Sequence, residues 1–176
     1  MSQHLFWITS RSAGIVALLL SSASVSLGLL MGGRLLKRHG ADLRTMHEAL
    51  SVATMAAIVL HAGALLGDSY LKPSLAAVTI PFVGSYAPLW TSLGIVCGWL
   101  TLALGLSYYA RARIGVARWR RLHRWTALVW LLSIAHALGE GTDAGQIWFL
   151  ASAAIVAVPA ALLLVVRHVP ATPAPR

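Results

Sequence analysis

Cysteine is almost missing from this sequence, since Cys97 is the single cysteine among 176 residues. One cysteine excludes an internal disulfide, a cysteine-rich zinc or iron–sulfur site, and the Cys-x-x-Cys-His motif that attaches a c-type haem. Because Cys97 lies inside an apolar run, cysteine usage does not indicate the redox state of the compartment.

Charged residues are also scarce: they make up 11% of the chain, against about 25% in a soluble domain. Hydrophobic residues make up 58%, and a fold this small and this apolar would expose a sticky surface to water. The net charge of +9 comes from basic residues in short blocks between long apolar runs. That arrangement is typical of a membrane protein and argues against a nucleic-acid partner. The sequence therefore predicts a lipid bilayer as the surrounding solvent.

Five apolar segments approach the length of about 20 residues that an α-helix needs to cross a bilayer. We predict an all-α fold, an integral membrane helical bundle of about five transmembrane helices. Residues 1–166 form the membrane domain, and the Pro-rich residues 167–176 form a short disordered cytoplasmic tail. The first segment also has features of a signal peptide, but it is long enough to span and a basic block follows it. The segments are Ser12–Met31, Met46–Leu66, Leu89–Ala110, Leu122–Gly139 and Ile147–Val166.

Lys and Arg residues are distributed unequally between the two ends of these segments. Twelve of the 14 follow the first span, the third span or the last span, and only Arg11 and Lys72 lie on the other side. Cytoplasmic loops carry the excess of Lys and Arg in membrane proteins. We therefore predict a multi-pass protein of the plasma membrane (the inner membrane in a bacterium), with its N-terminus outside and its C-terminus in the cytoplasm.

Four of the seven histidines fall in two predicted spans, His47 and His61 in the second and His123 and His136 in the fourth. Ionisable side chains within a membrane are costly and by default mark a functional site. His47 and His61 lie about 21 Å apart along a helix on nearly the same face, and His123 and His136 lie about 19.5 Å apart. If the two spans are neighbours, each of two depths offers two imidazoles from facing helices.

Paired imidazoles at two depths indicate haem. Two neutral imidazoles can ligate one haem iron from both sides and leave no open position, which suits electron transfer. The spacing of His123 and His136 opposes this interpretation, because it falls about 140° short of four turns of an ideal helix. Bending, local overwinding or a lateral offset of two haems is then required.

Two other interpretations of the histidines stay open. The first is that they only pack between helices or lie at the membrane interface, where a polar side chain costs little. The second is a site for a bare metal ion, which would need ligands clustered at one depth and acidic partners. Only Glu48 provides a carboxylate within a predicted span.

At these histidines the sequence resembles the ferric reductase-like transmembrane family of b-type cytochromes. This family includes the membrane parts of ferric reductases and NADPH oxidases, and the haem-binding subunit of the bacterial methionine sulfoxide reductase system. Its members carry two histidine pairs with the spacings seen here. The block Trp-Arg-Arg-Leu-His-Arg-Trp from Trp119, Gly-Thr-Asp from Gly141 and Trp-Ile-Thr-Ser-Arg-Ser-Ala-Gly from Trp7 are similar to the bacterial members. The similarity covers about Trp7–Val166.

The resemblance implies haem b held between His47 and His123 and between His61 and His136. The methionine sulfoxide reductase subunit lacks one of the four histidines, so all four here favour two haems over one. Ferric reductases and NADPH oxidases continue into a flavin and nicotinamide domain, whereas this chain has no Gly-x-Gly-x-x-Gly and ends ten residues past the last span. We therefore expect a separate electron donor: a flavin reductase, reduced flavin or a quinol.

Basic and aromatic side chains near the histidines are further candidates for cofactor contacts. Haem propionates are anionic and favour Arg near the membrane surface, although the positive-inside pattern explains most of these arginines equally well. Trp130 lies midway between His123 and His136 and is a candidate to sit between the haems, while packing is its commoner role. The arginine candidates are Arg44, Arg120, Arg121 and Arg124 at the inner haem, and Arg11 at the outer haem.

These patterns together predict a di-haem b-type cytochrome that passes electrons from a cytoplasmic or membrane donor to an extracytoplasmic acceptor. The acceptor is a protein, ferric iron or oxygen. The chain would be the membrane electron-transfer component of an oxidoreductase, and no residue is assigned a catalytic role. Two alternatives are a single-haem membrane subunit of a separate reductase with a quinol donor, and a haem-free transporter of metal or protons.

Overall fold

The computed structural model describes residues 4–32 and 40–168, and every regular element in these ranges is a helix. The bundle consists of α1 (Leu5–Gly32), α2 (Gly40–Leu65), α3 (Leu75–Thr79), α4 (Pro88–Leu106), α5 (Arg111–Ile114), α6 (Val116–His123), α7 (Thr126–Glu140) and α8 (Ile147–His168). The prediction of an all-α membrane bundle is confirmed.

Four of the described helices, α1, α2, α4 and α8, are long and apolar enough to cross a membrane. The remaining predicted span, the fourth, corresponds mainly to α7, which has 15 residues and is short for a complete crossing. Large apolar side chains are exposed on the outer faces of the bundle, for example Ile155, Leu162 and Val165 on α8. Exposed apolar faces on long helices require lipid around them, so the chain is a multi-pass membrane protein.

Helix α1 lies at the centre of the packing. It contacts α2 along much of its length and also packs on α7 and α8, while α4 packs on α7 and α2. The buried residues of α1 are mostly small ones, Ser10, Ala13, Ala17, Ser22 and Ser24. Small side chains let helix backbones approach closely, which is how helices associate within a membrane.

The fourth predicted span, Leu122–Gly139, is not one helix. Helix α6 ends at His123, the chain turns at Arg124 and Trp125, and α7 begins at Thr126. The ψ angles of Arg124 and Trp125 are −24° and −16°, and the Trp125 amide donates to the Leu122 carbonyl at 3.0 Å. A bond to the third preceding residue and these ψ angles are typical of a tight 3₁₀ turn.

The remaining boundaries differ less. Helix α1 begins seven residues before the predicted start, and α8 continues through Pro159 to His168. Helix α3 lies in the long segment between the second and third spans. The predicted tail overlaps the last two residues of α8, Arg167 and His168, and its remainder, 169–176, lies outside the described residues.

Candidate functional site

One large cavity of about 1600 Å³ lies inside the bundle, and all four predicted ligands, His47, His61, His123 and His136, line it. Helix α2 carries the first two and α6–α7 the last two. Although the paired histidines face each other, α2 and α7 are not in extensive direct contact within the described residues. The cavity therefore lies between α2 and the segment α6–α7.

The histidines meet in two pairs across this cavity. The ring centroids of His47 and His123 are 6.0 Å apart with planes at 88°, and those of His61 and His136 are 6.5 Å apart with planes at 72°. Both pairings match the depths inferred from sequence. Fourteen residues of continuous α2 separate the pairs, which corresponds to about 21 Å along the helix.

The break before α7 explains how His123 and His136 both face the cavity. A 3₁₀ turn advances about 120° per residue, against about 100° in an α-helix. The turn therefore removes part of the angle of about 140° that would separate His123 from His136 on an ideal helix. The interruption also allows the axis of α6 to differ in direction from the axis of α7. Local overwinding was one of the ways to reconcile this spacing with a common site.

Three of the four rings are fixed by a backbone carbonyl of a neighbouring helix. The Nδ1 atom of His47 lies 3.0 Å from the Ser24 carbonyl oxygen, that of His61 lies 2.8 Å from Ser10, and that of His136 lies 2.9 Å from Trp90. A carbonyl can only accept, so Nδ1 carries the proton and donates in each case. The Nε2 lone pair of each of these rings is then free to bind a metal.

Each of these carbonyls is followed four residues later by a glycine that the same ring contacts. A Cβ at Gly14 would lie 2.9 Å from His61 Nδ1, one at Gly28 would lie 3.2 Å from His47 Cε1, and one at Gly94 would lie 2.7 Å from His136 Nδ1. The missing side chain lets the imidazole reach the carbonyl one turn earlier. We call each carbonyl with its glycine a cradle: Ser10/Gly14, Ser24/Gly28 and Trp90/Gly94.

Sequence reasoning missed the cradles, although the sequence contains a signal for them. Ser-x-x-x-Gly occurs twice in α1, and the two copies are 14 residues apart, the same separation as His47 and His61 on α2. The serine hydroxyls of both copies lie 3.2 Å from the histidine Nδ1 atoms. The matching interval on two adjacent helices was the available clue.

His123 differs from the other three ligand candidates. Its Nδ1 atom is buried and has no hydrogen-bond partner among the described residues. The ring instead stacks on Trp119, with centroids 5.1 Å apart and planes at 26°. The pair that contains His123 is therefore held by one cradle, whereas the His61–His136 pair is held by two.

The dimensions of the site fit haem. If an imidazole nitrogen lies about 1.1 Å from its ring centroid and a metal–nitrogen bond measures about 2.0–2.1 Å, two imidazoles on opposite sides of one metal have centroids about 6.2–6.4 Å apart. The observed 6.0 and 6.5 Å bracket that range. The cavity also exceeds the about 300–1,000 Å³ of a typical pocket for one small ligand, which leaves room for two large groups.

The predicted arginine candidates lie in different surroundings. Arg124 lines the cavity, and the other three at the same end are exposed and are not among the lining residues. Arg11 lines the opposite end of the cavity but is paired with Asp143 through two hydrogen bonds and lies over the Trp7 ring. The three exposed arginines are Arg44, Arg120 and Arg121.

Trp130 is buried, lines the cavity and donates from Nε1 to the Ser22 hydroxyl at 2.9 Å. It therefore packs against α1 while bordering the same space as the histidines. Four charged residues that line the cavity were not among the predicted site residues: Lys72, Glu140, Asp143 and Arg167. Glu140 accepts a hydrogen bond from Thr91 at 2.7 Å, and only the folded chain brings these two residues together.

A cluster for a bare metal ion is not found in the part of the chain that the structure describes, where no three His, Cys, Asp or Glu side chains are grouped closely enough to hold one. The histidines are arranged two by two, which differs from the three or four converging ligands of a zinc site.

Comparisons with known proteins give no relative for this chain, since no family model, curated protein or solved structure matches it.

Proposed function

We propose that this chain is a di-haem b-type cytochrome that carries electrons across a membrane. The observation that supports the proposal most strongly is the pair of imidazole–imidazole spacings, 6.0 and 6.5 Å, at two levels of one cavity. Two independent pairs with the separation expected for one metal between two rings are hard to explain by packing alone. The sequence resemblance to the ferric reductase-like transmembrane family supports the same proposal.

The residues of the chain hold and orient the cofactor in this proposal. The Nδ1–H bonds to the Ser24, Ser10 and Trp90 carbonyls fix three rings and direct Nε2 away from the backbone. Haem b supplies a one-electron couple when bound. The mostly apolar lining of the cavity would give the rings surroundings of low dielectric constant, and Trp130, midway between His123 and His136 in the sequence, borders the same space. With two rings per metal, no position stays open for a diatomic ligand.

The direction and the partners form the second part of the proposal. The excess of Lys and Arg after the first and third spans favours a cytoplasmic location for the end that contains His47 and His123. Electrons would enter there from a flavin reductase, reduced flavin or a quinol, and leave near His61 and His136. An extracytoplasmic protein, ferric iron or oxygen would accept them, and the membrane would be the plasma membrane.

A single-haem subunit is the second candidate function, and the surroundings of His123 favour it. His123 has no carbonyl partner for Nδ1 among the described residues, whereas His61 and His136 each have one. The His61–His136 pair would then hold the only haem, and a quinol would be a suitable donor. Both candidates make the chain a membrane electron carrier with a separate electron donor.

A reduced-minus-oxidised absorbance spectrum with a haem count per chain tests the proposal. The protein is purified in detergent, and we expect the bands of a six-coordinate b-type haem and two haems per chain. One haem per chain would support the second candidate. A preparation that is folded by circular dichroism but has no haem band, even after reconstitution with haem, would contradict both.

Alanine variants of the histidines test the pairing. We expect His47→Ala and His123→Ala to remove the same haem, and His61→Ala and His136→Ala to remove the other, because each iron needs both rings. Redox titration of each variant identifies which potential disappears. If His47→Ala and His61→Ala removed the same haem, the loss would follow the helix and the proposed pairs would be wrong.

A further inference from the structure

A row of aromatic rings connects the bundle surface to His123. The centroids of Tyr109 and Tyr108 are 5.3 Å apart, those of Tyr108 and Trp119 are 5.8 Å apart, and Trp119 stacks on His123 at 5.1 Å. Tyr109, the outermost ring, is 57% exposed. We call Tyr109, Tyr108 and Trp119 the aromatic row. It belongs to neither the cavity wall nor the cradles.

The local sequence explains how the row forms. Gly115 adopts a φ of 88°, a conformation that favours glycine, and separates α5 from α6. Helix α6 then contacts α4, whose end is followed by the two tyrosines. Trp119 precedes His123 by four residues, so the two rings lie on one face of α6. The tyrosines are held as well: Tyr109 donates to Glu48 at 3.0 Å, and the Arg111 guanidinium lies 3.9 Å over the Tyr108 ring.

Arginines outnumber acidic residues at this end of the bundle, where Glu48 accepts a hydrogen bond from the outermost ring, Tyr109. No Asp or Glu occurs between Asp68 and Glu140 in the sequence, so the whole segment that contains the row is free of acidic residues. Asp42 is an exposed acid near the start of α2. The exposed arginines at this end of the bundle are Arg44, Arg113, Arg118, Arg120, Arg121 and Arg124.

We propose that the aromatic row and its surrounding arginines form a docking surface for a soluble acidic electron-carrier protein, a reduced flavoprotein, which delivers electrons to the iron held by His47 and His123. This inference rests on the proposed function. In each encounter the flavoprotein loses one electron and the iron changes from ferric to ferrous, and no bond forms or breaks. Charge steers such encounters and sets their rate.

The aromatic row is the reason to favour a protein over a lipid surface. Arginines near a membrane surface also bind anionic headgroups, and the exposed arginines alone do not distinguish the two. Binding of lipid headgroups, however, does not require aromatic rings that lead from the surface to a proposed metal ligand. A carrier that reaches Tyr109 is connected to His123 through rings whose centroids are less than 6 Å apart at every step.

Binding is tested first, because it does not depend on haem. The protein is placed in nanodiscs of phosphatidylcholine, and binding of oxidised flavodoxin, a small acidic flavoprotein, is measured at 20 mM and at 1 M salt. We expect measurable binding at low salt and none at 1 M, where the screening length is about 3 Å. Arg113→Gln/Arg118→Gln should weaken binding roughly tenfold, and the control Lys72→Gln, at the opposite end, should not.

Electron transfer is tested next, by stopped-flow reduction of the haem band. Reduced flavodoxin should reduce Trp119→Leu at least about tenfold more slowly than wild type, while Trp119→Phe, which keeps a ring, should stay within about threefold. Reduced lumiflavin, which carries no phosphate and needs no docking surface, should reduce all three proteins at similar rates. Unchanged haem bands in both variants would show that His123 still binds the iron.

Three results would overturn the inference. The first is flavodoxin binding that is equal at both salt concentrations, or that is as tight in the Arg113→Gln/Arg118→Gln variant as in wild type. The second is a Trp119→Leu variant that accepts electrons from flavodoxin as fast as wild type. The third is an arginine variant that loses affinity only for vesicles containing phosphatidylglycerol, which would assign the surface to lipid. If the protein contained no haem, the proposed function would fail, and the binding result would still test the docking surface.

Discussion

Three imidazoles in this protein are positioned by backbone carbonyls that a glycine one turn later leaves accessible. A helix backbone carbonyl is normally shielded by the side chain one turn later, and glycine at Gly14, Gly28 and Gly94 removes that shield. The carbonyl then accepts from Nδ1 in addition to its helical bond, which fixes the tautomer and the ring direction. Glycine costs helix stability relative to alanine by about 0.5–1 kcal/mol, so its presence next to three ligand candidates has a specific structural use.

Alanine at Gly94 tests the cradle at the scale of one methyl group. Its Cβ would lie 2.7 Å from both Nδ1 and Nε2 of His136, so the ring must move away from the Trp90 carbonyl. We expect Gly94→Ala to lose the haem held by His61 and His136, or to shift its midpoint potential and spectrum. The measurement is a haem count combined with redox titration.

The matched control is Gly98→Ala, one turn further along α4. A Cβ at Gly98 would lie 3.6 Å from Ile58 Cγ2, an ordinary contact, and alanine favours the helix. Gly98 also lines the cavity, but its Cβ would contact Ile58 of α2 and no histidine, so we expect Gly98→Ala to keep the haem held by His61 and His136 and the stability of wild type. Equal behaviour of the two variants would mean that the cradle has no influence on His136.

At the scale of elements, the interruption between α6 and α7 decides which way His123 faces. The Trp125 amide bonds to Leu122, and Thr126 Oγ1 donates to the His123 carbonyl at 2.7 Å, so the turn is held by its own hydrogen bonds. A continuous helix over the same residues would direct His123 about 140° away from the face of His136. The turn is therefore part of the site, although neither of its central residues is one of the four histidines.

One inserted alanine tests the role of this turn. Placed between Trp125 and Thr126, it rotates α6 by about 100° relative to α7 and shifts it by about 1.5 Å, so His123 no longer faces His47. We expect the haem count to fall from two to one per chain, with the remaining haem still lost in His61→Ala. An alanine inserted after Gly145, where a Cβ would meet nothing within 4 Å, should leave both haems bound. Two haems in both insertion variants would show that the turn is not needed.

At the scale of the whole molecule, the two ends of the bundle differ in charge and in construction. One end combines the exposed arginines, the aromatic row and a histidine pair with one cradle. The other end has the Arg11–Asp143 ion pair and a histidine pair with two cradles. A cavity lined by both pairs joins the ends, so under the proposed function an electron would pass from one end to the other without movement of the helices.

Orientation is tested by labelling single cysteines in intact cells. Cys97 is 3% exposed, so it gives a low background with a membrane-impermeant maleimide. We expect Lys72→Cys to be labelled from outside and Arg118→Cys only after the membrane is permeabilised, because the Lys- and Arg-rich side remains in the cytoplasm. Labelling of Arg118→Cys in intact cells would place the arginine-rich end outside the cell, and the proposed direction of electron flow would then be wrong.

Much of the architecture could be predicted because it depends on properties that are local in the chain. The scarcity of charge and the length of the apolar runs indicated the membrane bundle, since burial in lipid depends on composition over about 20 residues. The intervals between histidines gave their depths, since the rise per residue in a helix is nearly constant. The repeat of Ser-x-x-x-Gly at the interval of His47 and His61 was also present in the sequence.

The sequence by itself thus determined the solvent, the helices and the depth of each histidine. Only the tertiary structure decided that the two histidine-bearing segments are neighbours whose paired rings face each other, where the fourth span is interrupted, and that Trp119 joins the tyrosines after α4 to His123. These features depend on the rotation of each helix about its axis and on which helices are neighbours. Both are set by packing between residues far apart in the chain, such as Trp130 on Ser22 and Gly94 against His136, and no local pattern specifies them.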